Sequence, residues 1–83
     1  MFTTYVLYSH KFDKIYIGFT SDLESRLISH NEKATKGWTI RYRPWKLIYK
    51  EEFKEKSVAM QREKELKSHR GRDFIWQILK QIE

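Results

Sequence analysis

Two short runs of β-branched and aromatic residues near the start of the chain decide most of what it can fold into. Thr4–Tyr8 (Thr-Tyr-Val-Leu-Tyr) and Ile15–Phe19 (Ile-Tyr-Ile-Gly-Phe) are separated only by the polar stretch Ser9–Lys14. Such residues favour strands, and two runs joined by so short a polar link read as a hairpin. Ser21 followed three residues later by Glu24 is a capping-box signature. Leu23, Leu27 and Ile28 then recur at helical spacing, which predicts a helix over about Asp22–His30. Trp45, Leu47, Tyr49 and Phe53 alternate with Lys46, Ile48 and Lys50, predicting a third strand with mainly one apolar face. Ser57 is the expected cap of a second helix running to about Ser68. Ile75, Ile78, Leu79 and Ile82 form an amphipathic stripe on a third helix from about Arg72. The order β-β-α-β-α-α points to an α+β fold, a small three-stranded sheet covered by helices.

Chain length bounds the rest. Eighty-three residues are read as one domain, 1–83. A domain near this size buries only about 60–65% of the surface its unfolded chain exposes. The 3 Trp, 5 Tyr and 5 Phe nonetheless argue for an ordered, aromatic core. The absence of cysteine excludes a disulfide framework and thiolate zinc sites, and points to a reducing compartment, the cytoplasm. No apolar run approaches the roughly 18 residues that span a bilayer, and Met1–His10 has no signal-peptide pattern, so no membrane partner is expected.

The formal net charge of +6 is concentrated rather than diffuse. Between Lys33 and Lys50 stand Lys33, Lys36, Arg41, Arg43, Lys46 and Lys50, with no acid among them, while the other basic residues balance the acidic ones. The same stretch carries Trp38, Tyr42, Trp45 and Tyr49 and the only proline, Pro44, so Glu32–Pro44 reads as a basic, aromatic loop leading into a strand. Cations that follow phosphates, interleaved with rings that stack on bases, suit a nucleic-acid strand. Lys36, Trp38, Arg41, Arg43 and Lys46, with Arg70 and Arg72, are the expected nucleic-acid contacts.

The residues that carry chemistry lie beside this stretch. Tyr5 and Tyr16 sit in paired strands with both phenols able to emerge on one sheet face, and Gly18 follows Tyr16 at i+2 on that face. A glycine inside a strand marks close approach of another group. Arg26 and His30 are i and i+4 on the first helix, an arginine suited to phosphate oxygens and a histidine suited to proton transfer. On the second helix Ala59, Glu63 and Leu66 share one face, so a carboxylate interrupts an apolar stripe, and one carboxylate with waters and substrate oxygens is enough for Mg²⁺. Each feature also has a structural reading: tyrosines are good strand residues, Gly18 suits a bulge, and Glu63 pairs readily with Arg62 or Lys67. The three histidines lack metal-ligand spacing, and no glycine-rich phosphate loop is present.

Taken in order, Tyr5, Tyr16-Ile17-Gly18, Arg26, His30 and a glutamate in the second helix resemble the GIY-YIG nuclease superfamily. The likeness is strongest to small stand-alone bacterial proteins similar to the amino-terminal nuclease domain of the excinuclease UvrC. It extends through Tyr-Ile-Gly-Phe-Thr-Ser-Asp-Leu-Glu-Ser-Arg-Leu, Arg-Pro-Trp-Lys-Leu-Ile-Tyr and Ala-Met-Gln-Arg-Glu-Lys-Glu-Leu-Lys. The first motif reads Thr3-Thr4-Tyr5, which keeps the tyrosine and loses the glycine. Asn31 is the only asparagine, so the late asparagine of several members has no counterpart.

The resemblance implies a central three-stranded antiparallel sheet flanked by three helices and metal-dependent hydrolysis of DNA phosphodiesters, in repair or processing. It assigns catalytic roles to Tyr5, Tyr16, Arg26, His30 and Glu63, a structural role to Gly18, and one divalent cation, Mg²⁺ or Mn²⁺, to Glu63. Tyr5, Tyr16 and His30 are alternative general bases. The five catalytic residues are expected on one concave face with Lys36, Arg41 and Arg43 on its rim, and a protein partner or self-association is expected to supply targeting. The alternative is a non-catalytic nucleic-acid-binding module of the same fold.

Overall fold

In the computed structural model, which describes residues 1–82, the first two strands form the expected hairpin. β1 (Phe2–Ser9) pairs antiparallel with β2 (Lys14–Thr20), and Asp13 takes a positive φ of 54° in the turn between them. β3 (Lys46–Phe53) pairs antiparallel with the other edge of β1, so the sheet order is β2-β1-β3 and the first strand is central. That position explains its composition: Thr3 to Ser9 are all buried, as only a strand covered on both faces requires. The order β-β-α-β-α-α and the antiparallel three-stranded sheet match the expectation.

Alternation along β1 divides the core in two. Val6 and Tyr8 point to one face, where they pack with Ile17, Leu66, Ile75 and Leu79. Tyr5 and Leu7 point to the other, where they pack with Trp45 and are flanked by Tyr16, Leu23 and Leu27. The first face is covered by α2 (Lys56–Lys67) and α3 (His69–Ile82). The buried Thr4 hydroxyl donates to the Ala59 carbonyl at 2.8 Å and ties α2 to the central strand. Full burial of each large aliphatic side chain here contributes roughly 1.5–3 kcal/mol. The second face is covered by α1 (Leu23–Ile28), a π-helical turn over Ser29–Lys33 and a 3₁₀ turn over Trp38–Tyr42.

Four local details depart from the sequence reading. Asp22, not Ser21, caps α1: its carboxylate accepts from the Ser25 amide at 3.1 Å, while Thr20 Oγ1 accepts from the Asp22 amide at 3.0 Å. The apolar alternation predicted for β3 slips, because pairing passes from Val6↔Tyr49 to Leu7↔Leu47 and leaves Ile48 as the extra residue of a bulge. Leu47 therefore joins the Tyr5 face, whereas Ile48 and Tyr49 join the Val6 face. α2 begins at Lys56 after Glu55 with no side-chain cap, so Ser57 lies inside it. α3 begins at His69 rather than near Arg72, with Ser68 alone between the helices.

Gly71 makes that tight junction workable. A β-carbon there would overlap the Glu65 carbonyl oxygen and the Leu66 backbone, atoms that cannot swing aside. The variant Gly71→Ala is expected to lose roughly 1–3 kcal/mol, the usual cost of overpacking, despite alanine's better helix propensity. Chemical denaturation checks this, and a variant as stable as wild type would show that the helix pair can separate freely.

Candidate active site

Tyr5 is the centre of the second face. It lies opposite Gly18 in the sheet, and Tyr16 stands two residues before Gly18 on the same face. A β-carbon at Gly18 would lie 2.8 Å from Tyr5 Oη and 3.1 Å from Tyr16 Cε2, so glycine is required where the two phenol rings close over β2. The ring centroids are 6.1 Å apart.

His30 meets this pair from above. Its Nε2 lies 3.0 Å from Tyr5 Oη, its Nδ1 lies 3.2 Å from Thr39 Oγ1, and its ring centroid is 4.6 Å from that of Tyr16. Only 7% of the residue is exposed. Arg26, on the exposed side of α1, directs its guanidinium toward both phenols.

Burial sets the protonation of the cluster. It pushes the Tyr5 phenol up to about 12, with Tyr16 adding to the effect and Arg26 opposing it. It pushes His30 below the usual histidine value, and the charges of Arg26 and Arg43 add to that. At neutral pH Tyr5 is thus a phenol and His30 a neutral imidazole. Either neutral tautomer satisfies these atoms: Tyr5 Oη–H donating to Nε2 with Nδ1–H donating to Thr39 Oγ1, or Nε2–H donating to Tyr5 Oη with Thr39 Oγ1–H donating to Nδ1.

The backbone that delivers His30 is irregular and strongly held. The wider π turn over Ser29–Lys33 carries His30 inward. Arg43 clamps this turn, donating from Nε to the His30 carbonyl at 2.6 Å and from Nη2 to the Ser29 and Ala34 carbonyls at 3.1 and 2.8 Å. Asn31 accepts from the Trp45 amide at 2.6 Å and donates to the Trp45 carbonyl at 3.0 Å. Trp45 Nε1 in turn donates to the Thr39 carbonyl at 2.8 Å, fixing the residue whose hydroxyl His30 uses.

The sequence-predicted residues divide accordingly. Tyr5, Tyr16, Arg26 and His30 come together. Glu63 does not share their face: α2 lies on the opposite side of the sheet, with Ala59 and Leu66 facing inward. Arg62 leans toward β3, where its Nε donates to Glu51 at 2.7 Å, while Glu63, on the other flank of α2, pairs with Lys67 at 3.5 Å, and Lys67 lines a cleft with Tyr16 of β2. The Glu63 side chain is one-fifth exposed. The expectation of a single concave face is therefore corrected for Glu63, which approaches from the layer behind.

Arg43 is also corrected, since its guanidinium serves three carbonyls rather than a rim. Lys36, Arg41 and Lys46 are exposed, and Trp38 is half exposed. Arg72 borders a cleft at the β2 edge together with Tyr16, whereas Arg70 borders a separate hollow with Arg62 and Phe74 and stands apart from the cluster. Thr39 was not foreseen as a site neighbour, and Lys67 was foreseen only as a partner of Glu63. No local pattern marks Thr39, while Lys67 was legible as the i+4 partner of Glu63.

The chain matches the GIY-YIG catalytic domain model over residues 1–76. It is similar to a UPF0213 protein of Staphylococcus haemolyticus, 40% identical over 70% of this chain and 71% of the relative. A UPF0213 protein of Staphylococcus saprophyticus is 41% identical over 65% of this chain and 66% of that protein. One from Natronomonas pharaonis is 38% identical over 68% of this chain and 66% of its own. No solved structure matches the chain significantly.

The neutral His30 has a pH signature. Its folded value lies below the unfolded value of about 6.5, so the unfolded chain takes up the proton first on acidification. The stability that His30 contributes is present above about pH 6.5 and is lost as pH falls through the lower folded value. Denaturation series across this range should show wild type losing more stability than His30→Gln. Equal slopes would refute a buried neutral imidazole.

Proposed function

Because this chain belongs to the GIY-YIG family, we propose that it is a divalent-metal-dependent DNA endonuclease, with residues 1–83 working as one nuclease unit in DNA repair or processing. The observation that carries this reading is the Tyr5–Tyr16–Arg26–His30 cluster beside a cleft that Tyr16 itself lines. Tyr16, the phenol on the cleft wall, orients the attacking water. Water oxygen bonds to phosphorus as the phosphorus–oxygen ester bond breaks. In the His30 tautomer whose Nε2 carries no proton, the water's proton passes through the phenols to that atom, and the departing oxygen takes up a proton from solvent. Arg26 holds the non-bridging oxygens and stabilises the charge that builds on them.

Glu63 is the proposed metal ligand. Among the described residues no three His, Cys, Asp or Glu side chains cluster, so the donor set fits a hard cation that keeps waters and substrate oxygens rather than a protein cage. The ion-pair partner of Glu63, Lys67, lines the cleft beside Tyr16, and from that flank of α2 Glu63 would hold the cation at the β2 edge. When bound, Mg²⁺ or Mn²⁺ supplies positive charge to the phosphate and the leaving oxygen. Lys36, Arg41 and Lys46 attract the DNA backbone, and a protein partner or self-association supplies further targeting. The proposed setting is the cytoplasm. No described helix is long and apolar enough to cross a membrane.

Purified protein incubated with nicked, branched, single-stranded and duplex DNA should cut at least one of them only when Mg²⁺ or Mn²⁺ is added. Arg26→Ala and Glu63→Ala should each lower the rate roughly 10²- to 10³-fold. Salt-sensitive binding without metal-dependent cleavage of any substrate would instead establish the non-catalytic binding module.

A further inference from the structure

The cleft at the β2 edge holds more chemistry than bond cleavage requires. It is an open cleft of about 470 Å³, within the range of small-molecule sites. Three rings line it, Tyr16, Trp38 and Trp76, with three cations, Lys14, Lys67 and Arg72. Asp13 is the one acid on the wall, and its carboxylate already accepts the Tyr8 hydroxyl at 2.6 Å.

Trp38 is the informative ring. It is 46% exposed, an unfavourable position for so large an apolar surface, yet it is firmly backed. Its ring centroid lies 4.7 Å from Tyr42 and 5.7 Å from Trp45, and Trp45 is itself buried and bonded to Asn31 and Thr39. Arg72 is fixed to the end of α2, where its Nε donates to the Lys67 carbonyl at 3.2 Å. A held indole face beside the anchored Arg72, with Lys14 and the Glu63-paired Lys67 on the same wall, matches a ligand with a flat π surface and an attached anion. A nucleotide is such a ligand.

We propose that this cleft is a base-stacking subsite that takes one unpaired nucleotide of the DNA strand, its base on Trp38 and its phosphates on Lys14, Lys67 and Arg72. This rests on the DNA-cleaving reading and names its substrate class: DNA with an unpaired strand at the cleft. A base inside a duplex offers only its edges, because its faces are covered by neighbouring pairs, so Trp38 gains nothing from uninterrupted duplex.

The test is equilibrium binding in EDTA, where no cutting occurs, with four probes: a labelled oligothymidine, an abasic oligomer of the same length, a duplex, and free dTMP. Trp38→Ala should weaken oligothymidine binding roughly 5- to 150-fold, the range for loss of one stacked base. Duplex and abasic binding should change less than about twofold, and Trp38→Phe should restore most of the loss. Arg72→Gln should weaken all strands and reduce the salt dependence by about one phosphate.

An equal loss on all strands, or no loss for a folded Trp38→Ala, overturns the subsite. Free dTMP binding as tightly as the oligomer, with the same Trp38 dependence, also overturns it by assigning the cleft to free nucleotides. A protein that stacks single strands in this assay but cuts nothing with metal refutes the nuclease and leaves the subsite standing.

Discussion

The hydrogen bond between Tyr5 and His30 is the constraint on which the rest of this face depends. A phenol with no exposed surface at the centre of a sheet costs free energy unless its hydroxyl is paired. His30 supplies the partner, but only because the chain after α1 widens into a π turn that brings the imidazole down onto the strand. The turn leaves carbonyls to satisfy, and Arg43 satisfies three of them. Beneath the phenol the neighbouring strand must have no side chain, hence Gly18. A single buried hydroxyl thus accounts for a glycine, an irregular helix end and an inward-facing arginine.

The two faces of the sheet divide the work. On the Val6 face, apolar contacts with α2 and α3 supply the cohesion that a chain without disulfides must obtain from packing alone. On the Tyr5 face aromatic rings and leucines pack together, and Tyr5, His30, Thr39 and Trp45 are joined by hydrogen bonds. Cohesion on one side permits the other to hold groups in perturbed protonation states. β2 is the edge where the two sides meet, which is why the cleft draws Tyr16 and Trp38 from one layer and Lys67, Arg72 and Trp76 from the other.

Much of the fold was legible because the signals were local. The hairpin, the helical stripe of α3 and the α+β order follow from residue type and period within short windows. Gly18 was only half legible, since a strand glycine marks either a close approach or a bulge, and the cross-strand partner Tyr5 decides between them. The bulge at Ile48 was not, because it exists only in the pairing of β3 with β1. Arg43 was read from its neighbourhood as a surface cation, although its partners are backbone carbonyls nine to fourteen residues away. Charge density along a sequence records how many cations a segment carries and not which way each one faces.

By itself the sequence determined the element order, the hairpin of the first two strands and the residue types of the chemical cluster, since each depends on side-chain identity over a few positions. Tertiary structure alone decided that the first strand is central, that four of the five expected residues share one face while Glu63 stands behind the sheet, that Thr39 completes the histidine's bonding, and that a cleft opens at the β2 edge. These depend on where separate segments meet, and that is settled by the twist, register and packing of the whole chain.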